Sequence, residues 1–528
     1  MKNKKIYLGL LTTGLLLGAA YSCKKDLDTI DENVITTDKY FKTAAELTLG
    51  TNSIYSVIHS SSLVAREWYF VHDMRSDENA PGGAGLEGVR LPFLLGTVEP
   101  TNAVMNAVWN GLYTVIHRSN TVIDNGPNVT DNVAVKNKMV AEAKYFRGWA
   151  YFELVSKWGG VPLYTTTVKG PTEFQPRAKA EDVYAQIAKD LNEAAAALPG
   201  KSTTDRGRAT ASAANALLGR VLMQTGDYAG AKSALLKIPT TGADGYSLTP
   251  RYLDNFEEET EFNSESIFEV IFVDRGDDSF NWGSPSGDGP GASQATVRNQ
   301  EYNPVAWRNL IPSNKILNEF EVVSTGNAKD DPRYSYTFYQ AGDKYNNDQS
   351  VLTDADVNGN TSVVNGVTKK VSWRKYNIIY KESKARAGFH PAGNNQRIIR
   401  YAEVLLMLAE CENELGNIGT ATTGAIGYLN QIRARPSVSM PLYPTVKFPV
   451  GTKAEVIRAI MHEKMVELAN EEIRNVDILR WRKKGYFATD PLSYFKANRD
   501  ELLPIPLAEI DNNPKLASNG LPAQNPGY

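Results

Sequence analysis

Apolar residues recur at helical spacing through much of the chain, at i, i+3, i+4 and i+7. The pattern starts at Asp38, a capping residue type, and runs to about His59. After a stretch interrupted by Gly and Pro at 60–101, it returns over 103–125, 133–158, 180–198 and 209–238, the last broken at Gly226 and Asp227. Between 246 and about 392 it gives way to short β-prone runs at 266–273, 335–339 and 371–381, separated by polar turns. Two of those turns carry Asn-Gly pairs, at 358–359 and 365–366, a hairpin signal. Helical spacing resumes over 396–415, 424–435 and 453–484, before a Pro-rich tail. The elements predict a mostly α fold: a helical body, 38–245 and 398–485, split by an irregular, partly β insert, 246–397, and closed by a tail, 486–528, packed on the body.

Within the body, Leu218, Gly219, Gly226, Tyr228, Ala231 and Leu235 put small residues where paired helices touch, as in a tetratricopeptide unit. Ala409, Gly416, Ala425 and Leu429 repeat the theme, with the spacing stretched after Gly416. Ala and Gly permit close helix approach, and stacked pairs bury what one pair cannot.

The N-terminus changes the picture. Lys2, Lys4 and Lys5 precede an apolar run at 8–20 that is shorter than the roughly 20 residues a spanning helix needs, so 1–22 reads as a signal peptide. Ala19, Ala20, Tyr21 and Ser22 lead into Cys23, and charge begins at Lys24; the arrangement resembles the lipobox of bacterial lipoproteins, with a tether at 23–37. Cys411 is the other cysteine, so no disulfide framework exists, and its place in a helical pattern with Val404, Leu408 and Leu415 reads as core. Loss of 1–22 leaves 54 basic against 60 acidic residues; with no basic surplus, nucleic acid is excluded as a partner.

Several segments together resemble the SusD/RagB family of outer-membrane nutrient-binding lipoproteins. They are VWNGLYTVIHRSNTVID at 108–124, AEAKYFRGWAYFELVSKWGGVPL at 141–163 and GRATASAANALLGRVLMQTGDYAGA at 207–231. Further along come IIRYAEVLLMLAECENELGN at 398–417, LNQIRAR at 429–435, HEKMVELANEEIRNVDILRWRKKG at 462–485, LLPIPLAEIDNNPKL at 502–516 and the terminal QNPGY. One departure is Asn475, where the family pattern leads us to expect a bulky aromatic residue. The resemblance implies a tetratricopeptide-like helical-repeat scaffold. It also implies a lipid-anchored protein facing the outside of a Gram-negative cell, capturing an oligosaccharide or polysaccharide and delivering it as a lid to a SusC-like TonB-dependent transporter. Peptide cargo within the same family is the alternative, and a surface glycoside hydrolase a more distant one.

Catalytic and metal signatures are weak. Gly83, Gly85 and Gly88 fit GxGxxG, but Pro81 and Pro92 flank them and no helix is expected after them. His462 and Glu463 open a HExxH pattern that fails at Val466, and the five histidines lack ligand spacing. Asp354, Asp356, Asn358 and Gly359 copy the first half of a calcium loop, yet position 12 is Asn365 and the Asn-Gly turns already account for the segment. No catalytic residue, metal ligand or cofactor is therefore assigned.

A glycan face needs flat rings on exposed loops, flanked by polar groups. Trp109, Trp149, Trp158, Trp373 and Trp481 lie in helical or strand patterns and read as core. Trp282 and Trp307, with Arg298 and Tyr302, lie in a polar Gly/Ser/Pro-rich segment at 274–313; Trp68, Asp73 and Arg75 precede the glycine loop. These seven are the candidate ligand contacts. Cys23 is the candidate lipidation site, and Cys23→Ala should release the protein from the membrane fraction, because acyl chains contribute about 0.8 kcal/mol per buried methylene. Retention of the variant in outer membranes after a high-salt wash would refute the anchor.

Overall fold

Side-chain caps set where the helices begin. Asn102 Oδ1 accepts from the Met105 amide at 3.0 Å and Asn132 Oδ1 from the Val135 amide at 3.1 Å, opening helices Ala103–Asn125 and Val133–Trp158 where their apolar pattern starts. Helix Ala44–Ile58 opens after Thr43: the Thr43 hydroxyl accepts from Glu46 N, and the Glu46 carboxylate accepts from Thr43 N, forming a capping box; Asp38 lies outside the residues the structure describes. The computed structural model describes residues 40–83, 85–274, 294–325, 329–389, 391–517 and 520–528. Cys23, the signal segment and the tether lie outside them.

The helices stack in chain order. Val133–Trp158 packs on Ala103–Asn125 and Ala180–Ala197, and Ala211–Thr225 follows, packed on Tyr228–Leu235. Tyr228–Leu235 then meets Tyr401–Glu414 across the insert, and that helix packs on Gly424–Arg433 and Lys453–Glu467. Gly219 and Ala231 sit at the contacts, whereas Gly226 and Gly416, left-handed at φ 83° and 85° with open space around them, follow helix ends and make no helix contact. A Cβ on Gly219 would lie 2.5 Å from Leu235 Cδ2, and Ala231 is fully buried. Cys411 is buried in the same core, where burial pushes its thiol up to about 12. No helix among the described residues is long and apolar enough to cross a membrane.

The insert is irregular, as expected, but its elements differ in detail. Strand Ser266–Val270 pairs antiparallel with Gln396–Arg400, so 396–415 is a strand followed by a helix. The run at 335–339 is the end of helix Arg333–Thr337 and the start of strand Phe338–Gln340, which pairs with the three-residue strand Val371–Trp373. Asn365 and Gly366, at φ 49° and 79°, close the Ser362–Val364 and Val367–Lys369 hairpin that the Asn-Gly pair predicts. The run at 453–484 breaks into Lys453–Glu467 and Arg474–Lys483 around Asn470 and Glu472, both left-handed at φ 58° and 60°. A helix absent from the sequence reading, Glu67–Met74, has all eight residues buried, so it carries no polar stripe for periodicity to reveal.

Insert and scaffold meet on buried charge. Arg400 Nη1 donates to Glu265 Oε1 at 2.6 Å and Glu467 Oε1 at 2.9 Å; Arg435 donates to the same two carboxylates, both at 2.8 Å. Arg333 Nη1 and Arg433 Nη1 bind the two oxygens of Glu463 at 2.7 and 2.6 Å, and Lys375 Nζ reaches Glu471 at 2.7 Å. Such desolvated charges are tolerated only when matched. All these side chains are essentially buried.

The helix contacts predict a size threshold. Gly219→Leu forces methylenes against Leu235 and should lower stability by about 1–3 kcal/mol in denaturant unfolding. Gly170→Ala, with open space around its Cβ position, should leave the midpoint unchanged. Equal midpoints for both variants would contradict this packing.

Candidate functional site

Two of the sequence candidates lie in places that settle little or much. Trp282 falls outside the described residues, whereas Trp307 stands 43% exposed. Its backbone amide donates to Gln300 O at 3.0 Å, at the end of helix Arg298–Tyr302. The next residue, Arg308, is left-handed at φ 53° and turns the opposite way, into the protein, where it is 1% exposed. There it donates to Ser372 Oγ at 2.7 Å and to the carbonyls of Asn358, Asn360 and Val371 at 2.7, 2.8 and 2.8 Å. With carbonyl and hydroxyl partners and no carboxylate, burial pushes its guanidinium down to about 10.

Arg308 thus ties the 358–360 loop and the strand Val371–Trp373 to the segment that carries Trp307. The glycine loop lies along 307–309, with Gly82 N donating to Asn309 O at 2.9 Å, and Asn360 N donating back to Gly82 O at 2.7 Å. The approach leaves no room for side chains: a Cβ on Gly82 would fall 1.7 Å from Arg308 O, and one on Gly359, at φ 77°, 2.0 Å from Gly82 O. Of the GxGxxG glycines, Gly85 is also closely packed, a Cβ there falling 2.7 Å from Asn309 Oδ1, whereas Gly88 has open space; the short helix Leu91–Leu95 does follow them, contrary to the expectation, with Pro92 in its first turn. In the glycine loop and the 358–360 loop, Glu87, Gly88, Val89, Asn358 and Asn360 face solvent. Glu87 is held there by Arg66 at 3.0 Å and Arg90 at 2.7 Å, and Arg66 Nε also donates to buried Glu301 at 2.8 Å. Burial would raise the Glu87 carboxyl, but Arg90 and Arg66 outweigh it and hold it below its ordinary range.

The other candidates are not on an exposed face, and that expectation is corrected. Trp68 is 2% exposed, edge-on to His72 with ring centres 4.9 Å apart. Tyr302 donates its hydroxyl to Asp73 Oδ2 at 2.6 Å. Arg298 lies against the rings of Tyr376 and Tyr302 at 4.1 and 5.6 Å and pairs with Glu472. Arg75 is buried against the carbonyls of Asp500 and Glu501, each 3.4 Å away. Asp73, Arg298 and Tyr302 are brought together, but in the core: burial raises Asp73, with Arg298 opposing. They lock helix Glu67–Met74 to the insert that presents Trp307. The exposed residues that sequence reasoning missed are Glu87, Asn358 and Asn360, whose motifs pointed to phosphate or calcium.

Neither metal-like cluster needs an ion for charge balance. Glu321, His462 and Glu463 have donor atoms close together, yet Arg433 Nη1 already bonds both carboxylates, at 2.5 and 2.6 Å. In the 354–365 loop, Lys370 Nζ donates to Asp354 O and Val357 O at 3.0 and 2.6 Å, and Asp356 pairs with Lys384 at 2.8 Å. Burial alone would lower the His462 imidazole; hydrogen bonds to Glu319 and Glu321 reverse this and hold it up at about 9.

Comparison with known proteins covers nearly the whole described chain. The SusD family model matches residues 264–528, and the model described as starch-binding associating with outer membrane matches 37–223. The chain is 27% identical over 556 residues to SusD-like protein P2 of Formosa agariphila, spanning 100% of both. Its fold superposes with a TM-score of 0.71 on a laminarin binding SusD-like protein, at 27% identity, covering 92% of this chain and 100% of that one. It also superposes at 0.68, with 22% identity and coverage of 92% and 99%, on surface glycan-binding protein A from Bacteroides thetaiotaomicron in complex with laminarihexaose.

His462 sets a pH dependence. Its folded pKa of about 9 lies above the unfolded value near 6.5, so the native state binds more protons between them. Its stabilisation is complete below about pH 6.5 and is lost as pH rises through 9. His462→Gln should flatten the fall in unfolding free energy over that window, by on the order of 1–3 kcal/mol. Parallel stability–pH curves for variant and wild type would show that the imidazole is not held protonated.

Proposed function

Because the chain belongs to the SusD family, we propose that it captures a neutral oligosaccharide at the cell surface, with Trp307 as the stacking platform. The observation that carries this reading is the exposure of that ring: Trp68, Trp109, Trp149, Trp158, Trp373 and Trp481 are all buried, and Trp307 alone among the described tryptophans faces solvent. A flat indole matches the C–H face of a sugar, and the rim groups Glu87, Asn358 and Asn360 are placed to meet hydroxyls. Glu87 has its charge met by Arg66 and Arg90, which suits an uncharged polymer and binding rather than proton transfer. The relatives described as laminarin binding and as in complex with laminarihexaose support a glucan as cargo.

In this reading the protein is anchored in the outer membrane through acylated Cys23 and hands its cargo, as a lid, to a SusC-like TonB-dependent transporter. The family and the outer-membrane description of the N-terminal match support that placement. A rigid helical stack suits the transporter contact, while the insert holds the glycan.

Trp307→Ala should weaken laminarihexaose binding in calorimetry by about 2- to 13-fold from lost stacking, and further from lost area, with the melting temperature unchanged. Trp149→Ala, in the core, should instead lower stability by about 3–5 kcal/mol. Wild-type affinity for every neutral oligosaccharide in the Trp307 variant would remove this face from the glycan path, and binding of peptides alone would replace the cargo class.

A further inference from the structure

A second concavity, of about 240 Å³, lies against the helical scaffold and shares no residue with the Trp307 face. It is walled by the rings of Tyr246, Phe262 and Phe268 and by Lys201, Arg206 and Arg208. Arg208 is already neutralised by Glu142 at 2.7 Å. Lys201 and Arg206 are not ion-paired among the described residues: Lys201 Nζ lies 4.0 Å over the Tyr246 ring and donates to Gly245 O, and the Arg206 guanidinium lies 5.5 Å over Phe262. The lining acids do not balance them. Glu269 is turned inward, accepting from Phe262 N at 3.1 Å and Asn395 Nδ2 at 2.8 Å, and Asp205 is exposed to solvent. Asp244, beyond the wall, is held by the Ser202 amide at 2.7 Å. Burial pushes the Lys201 ammonium below its ordinary range, with the Asp244 carboxylate opposing.

Backbone geometry marks the same place. Phe262 is left-handed at φ 56°, a conformation a bulky residue adopts only when its surroundings force it. Its amide bond to Glu269 holds it so, with the ring at the cavity wall and only half-buried. The turn at 206–208 is equally fixed: a Cβ on Gly207, at φ 78°, would strike Ile271 Cδ1 at 2.4 Å.

We propose that this cavity is a second ligand site, taking a single sugar ring that bears one carboxylate or sulfate group. The ring would lie against the half-buried Phe262, and the anion would meet Lys201 and Arg206. The cavity is below the roughly 300 Å³ typical of drug-sized pockets, which restricts it to one small ring. An acidic sugar here complements the neutral polymer expected at Trp307 and does not depend on that reading.

Calorimetry on the mature protein tests it with D-glucuronate, D-glucose 6-sulfate, D-glucose and sodium sulfate. The two acidic sugars should bind with Kd of about 1 mM, and glucose and free sulfate at least about tenfold more weakly. Lys201→Met and Arg206→Gln should each weaken the acidic sugars by about tenfold while leaving laminarihexaose binding intact; Trp307→Ala should do the reverse. The tighter of the two acidic sugars identifies the anion. The proposal is overturned if neither acidic sugar binds, if both bind unchanged in the Lys201/Arg206 double variant, or if free sulfate binds as well as either, which would make it an adventitious ion only.

Discussion

Burial of matched charge between the insert and the last scaffold helices is the constraint on which the rest of the structure depends. Glu265, Arg333 and Lys375 come from the insert; Arg400 and Arg435 flank the second repeat; Glu463, Glu467 and Glu471 belong to Lys453–Glu467 and the turn after it. Each charge removed from water must find its partner at hydrogen-bond distance, and removing one partner from such a pair costs about 3–5 kcal/mol. That penalty makes the arrangement specific. Irregular loops with little regular hydrogen bonding acquire a single position because any slip would strand a buried ion.

The exposed face inherits that rigidity. Arg298, paired to Glu472 and seated on Tyr376, fixes the helix preceding Trp307, Arg308 holds the 358–360 loop, and Gly82 bonds that loop and Asn309 together. A ring displayed in this way loses little conformational freedom on binding, so stacking is not offset by ordering of the loop. Scaffold and insert therefore divide the work: close-packed Ala and Gly contacts build a stiff body, and internal ion pairs hold the proposed recognition surface on it.

Much of this was legible in the chain. Helices Ala103–Asn125 and Val133–Trp158 were readable to their ends because Asn caps coincide with the onset of apolar periodicity, and the Asn365–Gly366 hairpin because only that turn type places both residues at positive φ. Helix Glu67–Met74 was not, because Glu67, His72 and Asp73 are buried among partners remote in sequence and leave no polar stripe. For the same reason Trp68, Asp73, Arg75, Arg298 and Tyr302 looked like a ligand set: aromatic and charged residues in a polar segment read alike whether they meet a sugar or one another. What separates them is Glu472, Gln396 and Asn470, which lie far along the chain and whose proximity only folding reveals. Trp307 was correctly expected to be exposed; the neighbours that shape its surroundings, Glu87, Asn358 and Asn360, were hidden inside motifs suggesting other chemistry.

The central claim is that a glycan is held by a preformed insert face centred on Trp307, and amide hydrogen exchange with and without laminarihexaose measures this directly. Added ligand should slow exchange in 82–90, 305–309 and 356–361, and leave helices Val133–Trp158 and Lys453–Glu467 as they were, since these are already locked by packing and buried charge. Protection confined to the helical scaffold, with those three loops unchanged, would contradict the account.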